Sequence, residues 1–387
     1  MNPTTDVQPI EDDPHHHSEE ARKAAQKLEG YFQALTKLGA SDLHLKAGRS
    51  PHIRLKSVVK PTKSPELSSE EIEAMGMSLL SPKQREYFLT HGSIDIAHQV
   101  VGGDRYRINI FRQRGDVSMA ARRVTSDIPS FEQLHLPNVL AEVAREHQGL
   151  VLLSGPTGSG KSTSIAAMID HINSTRSCHI VTIEDPIEYL YEDKKALVSQ
   201  REVGIDVESF EAALKYLLRE DPDVVLIGEM RDRDTFEAAL QASETGHLVF
   251  GTVHASTAPQ TIERVLALFP EGSRELVRQS FAFNLKGIIC QKLLPSIAEG
   301  IDRVPALEIM LMNPSVRQLI EDGRESEILD VVRSNENQGM QTFTKSLLDL
   351  IESEMIDPRV GYEVASNPDE LKMRLKGIST GHSGLLG

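Results

Sequence analysis

The chain has 387 residues, 39% of them hydrophobic, which is too long for one ordinary domain and leaves room for a sizeable core in each of two. No apolar run approaches the roughly 18 residues that span a bilayer, and Cys178 and Cys290 are too few for a disulfide framework or a four-cysteine zinc site. The formal charge of −15 opposes non-specific attraction to nucleic acid phosphates, and the start of the chain lacks a basic, apolar, small-residue signal, so a reducing cytosol fits.

Residues 1–20 are polar, carry three prolines and show no period, which reads as a disordered arm. His15, His16 and His17 lie in it as a solvated run. From Ala21 to Leu38 the positions Ala24, Ala25, Leu28, Tyr31, Phe32, Leu35 and Leu38 recur at helical spacing, and Gly39 closes the helix. SDLHLKAG, PHIRLKSVV, SIDIAHQVV and DRYRINIFRQR then read as strands, with a helix near Glu70 to Leu80 between them. Residues 21–114 are thus expected to form an α+β domain built on a sheet. The stretch 115–137, with Gly115, Pro129 and Pro137 and no long period, reads as the linker.

From 138 to 376 strand and helix alternate. A short apolar strand over Leu150 to Leu153 precedes a glycine loop and a helix with Ile165, Met168, Ile169 and Ile172 on one face. Next come HIVTI (179–183), a helix with Phe210, Leu214, Leu217 and Leu218 inward, DVVLI (223–227), a helix over Asp234 to Ser243, and HLVFGTV (247–253). Such alternation predicts an α/β fold with a mostly parallel sheet. From about Ile262 helical patterning is expected to replace the strands, forming a helical C-terminal part, and 377–387 reads as a loose tail.

GPTGSGKS, Gly155 to Ser162, matches the phosphate-loop pattern and sits between a buried strand and an amphipathic helix. Gly155, Gly158 and Gly160 let the backbone curl so that the N–H groups of Pro156's followers, Thr157 and Ser159 among them, face a phosphate at a helix N-terminus. Lys161 supplies a point charge for the outer phosphates, and the Ser162 hydroxyl, followed by Thr163, suits magnesium. TIEDPIEY brings Glu184, Asp185 and Glu188 to a strand end, either for magnesium and water or as a solvated loop turned by Asp185-Pro186. VVLIGEMRD delivers Glu229 to the same edge as a candidate base, with Gly228 where many such enzymes carry an aspartate. HLVFGTVHA begins at His247 and ends at His254; the latter is placed to sense a γ-phosphate, whereas a lone histidine at a strand end is otherwise a structural group. Six arginines between 105 and 123, Arg107 and Arg122 among them, suit either a salt-bridged sheet face or donation to the nucleotide of a neighbouring copy.

Together SDLHLKAGRSPHIRL, RYRINIFRQR, GPTGSGKST, TIEDPIEY, REVGIDVESFEAALKYLLREDPDVVLIGEMRD and ETGHLVFGTVHAST resemble the secretion ATPase superfamily of type IV pili and type II secretion, nearest its PilT/PilU retraction motors. The resemblance covers about residues 21–376. It implies a PAS-like N-terminal domain, a RecA-like ATPase core and a hexameric ring using ATP and Mg2+. It makes Glu184 and Asp185 aspartate-box acids, Glu229 the catalytic glutamate and His247 with His254 the histidine pair, and it matches Arg107 and Arg122 to arginines that reach the nucleotide. In such a motor the partners are an inner-membrane pilus platform protein and a second PilT/PilU-type ATPase, the location is cytoplasmic at that membrane, and no nucleic acid is expected. Extension ATPases of pili and secretion systems usually carry a four-cysteine zinc element that this chain lacks, and a nucleic acid translocase on the same core is the remaining alternative. PilT and PilU branches stay unseparated.

Overall fold

A computed structural model describes residues 19–55, 58–101 and 103–377. His15 to His17, most of the expected N-terminal arm and nearly all of the expected tail lie outside these residues. The chain divides into two compact units, 1–126 and 127–387.

In the first unit helix α1 (Glu19–Leu38) is followed by β1 (Asp42–Lys46), β2 (His52–Leu55), β3 (Val58–Pro61), α2 (Ser69–Leu79), α3 (Pro82–His91), β4 (Ser93–Gln99), β5 (Arg105–Gln113) and β6 (Asp116–Val124). The strands form one antiparallel sheet in the order β3-β2-β1-β6-β5-β4. Leu28, Phe32 and Leu35 of α1 are buried with Ile72 and Met75 of α2 and the inward positions of β1, β5 and β6, as the 3.6 and 2 periods require. Leu38, expected on that apolar face, is 56% exposed, because the helix ends there at the left-handed Gly39. Ser68 with Glu71 and Ser81 with Gln84 form two capping boxes, which start α2 and α3.

The segment expected as a linker begins instead with a strand. Arg114 and Gly115 both take positive φ and turn β5 directly into β6, so Gly115 marks a hairpin rather than a break. Val117, Met119 and Ala121 alternate inward, a pattern the charged pair Arg122 and Arg123 obscures.

In the second unit α4 (Val139–Ala144), β7 (Gly149–Ser154), α5 (Lys161–Thr175), β8 (His179–Glu184), β9 (Leu197–Glu202), α6 (Phe210–Leu217), β10 (Val224–Ile227), α7 (Arg233–Glu244), β11 (Leu248–Val253), α8 (Ala258–Ala267), α9 (Arg274–Asn284), β12 (Leu285–Pro295) and β13 (Arg303–Leu311) precede five closing helices. These are α10 (Pro314–Glu321), α11 (Ile328–Ser334), α12 (Phe343–Glu352), α13 (Pro358–Val364) and α14 (Pro368–Leu375). The sheet order is β13-β12-β7-β11-β10-β8-β9, parallel throughout except for β13 at one edge.

Both faces of this sheet are covered, so its central strands are continuously apolar. On one face Val151, Leu153, Val224, Leu226 and Phe250 pack with Ile165, Met168, Ile169 and Ile172 of α5. On the other Leu150, Leu152, Val181, Val225 and Val249 pack with α6, α7, α8 and the closing helices. Truncating one such side chain, Met168→Ala for instance, is worth about 2–5 kcal/mol.

Two expectations are corrected here. Strands do not stop near Ile262: β12 and β13 extend the parallel sheet, and the purely helical part begins only at α10. Leu218, expected inward, is 39% exposed, because α6 ends at Leu217 and Leu218 belongs to its cap.

Candidate active site

Parallel pairing puts the carboxyl ends of β7, β8, β10 and β11 along one edge, the edge at which open α/β sheets bind ligands. The loop of residues 155–160 leaves β7 there and feeds α5. Gly160 is the N-cap of α5 at φ +86°, and no side chain caps the helix, so its first-turn N–H groups keep their hydrogen-bonding capacity for an anion. Lys161 is folded into the loop, its Nζ donating to the Gly155 carbonyl at 2.7 Å and the Pro156 carbonyl at 3.1 Å. Burial holds its pKa below the ordinary lysine value, partly offset by the charge of Glu229. Ser159 Oγ is buried without a hydrogen-bond partner. A cation resting on its own loop's carbonyls beside an unpaired buried hydroxyl is a donor set that fits phosphate oxygens. Pro156, Thr157, Gly158 and Ser162 are exposed, and the Thr163 hydroxyl lies 3.0 Å from the Tyr189 hydroxyl.

Glu184 ends β8 and is buried. Its Oε1 accepts from Thr182 Oγ1 at 2.7 Å and Gln200 Nε2 at 3.2 Å. Burial nonetheless pushes its pKa up to about 7 against these hydrogen bonds. Asp185, next in the chain, is exposed, and its peptide bond to Pro186 is cis.

Glu229 follows β10, with His254 Nε2 at 2.9 Å from its Oε1 and Arg231 also ion-paired to it. Burial alone would raise the Glu229 pKa, but hydrogen bonds and charge from Arg231 and then His254 outweigh it and hold the carboxyl below its ordinary value. Glu229 is therefore an ionised acceptor at neutral pH, while burial keeps Glu184 partly protonated there. Gly228 has a local reason: a Cβ there would meet the Glu184 Cα and the Ile183 carbonyl, each at 3.2 Å. Its N–H donates to that carbonyl at 2.8 Å, so the turn after β10 runs close against the end of β8 and any side chain there would press on its backbone.

The histidines part company. His254 joins Glu229 at the carboxyl edge, but His247 precedes β11 at the opposite edge of the sheet, and six residues at about 3.3 Å each separate the ends. Its Nδ1 lies 2.8 Å from the Ala242 carbonyl. Within one chain it cannot touch a nucleotide held by the loop, which corrects the expectation that it binds one.

Arg107 and Arg122 belong to the first unit as directly paired neighbours on β5 and β6. Arg122 Nε donates to Asp42 Oδ1 at 2.8 Å, as on a salt-bridged sheet face. Buried Asp42 would be raised by desolvation, but hydrogen bonds from Ser41 and Arg122 lower its pKa overall.

Two glutamines in the second unit escaped the sequence reading. Gln200, on β9, donates to Glu184 Oε1 and to the Tyr189 carbonyl at 2.8 Å. Gln291, 2% exposed on β12, lies beneath the phosphate loop. The signal for Gln291 was an amide inside the apolar run IICQKLL, since a buried amide must find partners.

Residues 127–318 match the family model of type II/IV secretion system proteins. The type IV pilus retraction ATPase PilT of Pseudomonas aeruginosa is 41% identical over 86% of this chain and 96% of its own length. The chain belongs to the PilT/PilU family of type IV pilus retraction ATPases. PilU of the same organism, described as a type IV pilus ATPase, is 37% identical over 90% of this chain and 91% of its own. Among solved structures, the pilus retraction motor PilT with bound ADP superposes with a TM-score of 0.82 at 43% identity, covering 89% of this chain and 98% of that one. The ATPase DotB of Legionella pneumophila follows at 0.72 and 26%, covering 92% and 98%. No described helix is long and apolar enough to cross a membrane.

Proposed function

We propose that this chain is an ATP-hydrolysing motor that drives retraction of type IV pili. The observation that carries the reading is the meeting of the Lys161 loop, buried Glu184 and the Glu229–His254 pair at one sheet edge, in a chain 41% identical to PilT over most of both lengths.

In this reading the N–H groups that follow Pro156 in the loop and first turn of α5, with the Lys161 ammonium, hold the phosphates of ATP, Lys161 exchanging the Gly155 and Pro156 carbonyls for phosphate oxygens. Glu229 accepts the proton of the attacking water as it adds to the γ-phosphorus, and the bridging oxygen leaves with ADP. His254 orients Glu229 across their 2.9 Å contact and would sense the γ-phosphate from there. Magnesium would be held by Ser162, with Glu184 and Asp185 acting through water, and would neutralise charge on the outer phosphates.

The family resemblance supports a PAS-like first unit and a homohexamer. Arg107 and Arg122 then serve a neighbour's nucleotide, where arginine fingers are worth about 10³ to 10⁵ in rate. It also supports docking of the ring, from the cytoplasmic side, on an inner-membrane platform protein, alongside a second ATPase of the same type. A mixing experiment tests the shared site: inactive chains carrying Arg107→Ala and Arg122→Ala, co-assembled with inactive Glu229→Gln chains, should regain part of their ATPase activity. Co-assembly without any recovery sinks the shared site.

Deleting the gene tests the direction of work. Surface pili that persist without twitching motility support retraction, whereas loss of the pili points to assembly. A secretion defect with normal pili points to type II secretion.

A further inference from the structure

Gln291 interrupts a buried apolar strand, and both ends of its amide are engaged. Its Nε2 donates to the Ser159 carbonyl at 2.7 Å, and its Oε1 accepts from Ser164 Oγ at 2.8 Å. Ser159 lies within the phosphate loop and Ser164 in the first turn of α5, so one side chain ties the loop to the helix that it feeds. The contact is also steric. A Cβ at Gly160 would meet Gln291 Nε2 at 2.8 Å, and one at Gly155 would overlap the Gln291 carbonyl oxygen. Gly155 is therefore needed by the β12 backbone as well as by a phosphate, and a side chain at 160 would displace the Gln291 amide, whereas a Cβ at Gly158 would enter open space.

The strand is anchored on its other side. Lys292 donates from Nζ to the Val364 carbonyl at 2.9 Å and lies 4.6 Å from the centre of the Phe343 ring. Gln291 thus reaches the loop from a strand that the closing helices hold in place.

We propose that Gln291 is a positioning residue for nucleotide binding: its amide bridge fixes the loop so that the N–H groups and Lys161 stay aimed at the phosphates. The proposal rests on the nucleotide role of the loop given above. It assigns Gln291 no contact with the nucleotide. Loss of the amide leaves the Ser159 carbonyl and Ser164 hydroxyl unpaired in a buried place, and the loop relaxes toward other hydrogen-bond partners.

The test uses the full chain and a fluorescent ADP analogue. Gln291→Leu keeps the volume and removes the amide, and its Kd should rise about tenfold. Gln291→Glu supplies a signature that a general packing role would not give. Its carboxylate sets a lone pair against the Ser159 carbonyl, while its protonated form regains an O–H donor. The ratio of its Kd to that of the unaltered protein should therefore fall as the pH drops from about 8 to about 5.5. Ser164→Ala, which spares the Ser159 bond, should raise Kd by no more than about threefold.

Should Gln291→Leu fail to fold, the pH dependence of Gln291→Glu decides the matter. A pH-independent ratio near one in Gln291→Glu, while Lys161→Ala loses binding, overturns the positioning role and leaves the nucleotide loop standing. If Lys161→Ala binds the analogue normally, the loop reading fails and this proposal with it.

Discussion

His247 and His254 bracket the same strand, β11, and their surroundings have little in common. At the amino edge of the sheet the polar groups beside β8 and β11 find partners close by. His247 Nδ1 meets the Ala242 carbonyl, and the His179 N–H donates to Asp223 Oδ2. At the carboxyl edge Ser159 Oγ has no partner, Glu184 is pushed up to about 7, and the Lys161 pKa is lowered. A fold that pairs its polar groups at one end and leaves them in tension at the other marks the end that awaits a ligand.

The contrast can be broken most severely at Glu229. In Glu229→Gln, hydrolysis should fall by about 10² or more while nucleotide affinity stays within about threefold, because an amide holds water but is a poor base. Near-normal turnover would move the catalytic role to Glu184. Lys161→Ala should weaken ADP and ATP binding by about 10², read by titration with a fluorescent analogue; unchanged affinity would remove the loop from the site.

Glu184 sharpens the comparison through stability. A carboxyl raised from 4.5 to about 7 keeps its proton in the folded state when the unfolded chain has lost it, so stability is present below pH 4.5 and declines as pH rises through 7. That shift corresponds to about 3 kcal/mol. Glu184→Gln should therefore match the unaltered protein's melting temperature near pH 4.5 and exceed it above pH 7, with Glu308, also pushed up to about 7 by burial, contributing its own decline in both proteins. Equal melting curves at every pH would show that Glu184 ionises normally. The smallest effects separate the two histidines: His254→Ala should lower turnover about tenfold by freeing Glu229, and His247→Ala should leave the single-chain site unchanged. Equal losses would mean that the two edges are not functionally distinct.

Much of this was legible in the residues. GPTGSGKS between an apolar strand and an amphipathic helix names its own ligand class, and Glu229 follows from its place after VVLI. What escaped had weaker local signals. LVSQRE, which forms β9, carries one fully buried position, so neither period stands out. LKGIICQKLLP is buried as a strand inside the sheet, and an apolar run of that length suits a helix equally well. Gly115 reads as a break because sequence does not say whether a glycine turns the chain back or lets it go. The bonds of Gln200 and Gln291 join residues up to 132 positions apart, and no local pattern predicts such pairs.

The start of α5 has a consequence for engineering. Helices α6, α7, α8, α10, α12, α13 and α14 are each closed at their first turn by a side chain, from Ser209 in α6 to Asn367 in α14. Such a cap is worth about 1 kcal/mol. At Gly160 that gain is blocked twice, by φ +86° and by Gln291 Nε2, and a side chain that did satisfy those N–H groups would compete with phosphate for them. Thermostabilised variants of this protein should therefore collect substitutions at the starts of α4, α9 and α11, which also lack a side-chain cap, and leave this one alone, a local trade between robustness and activity.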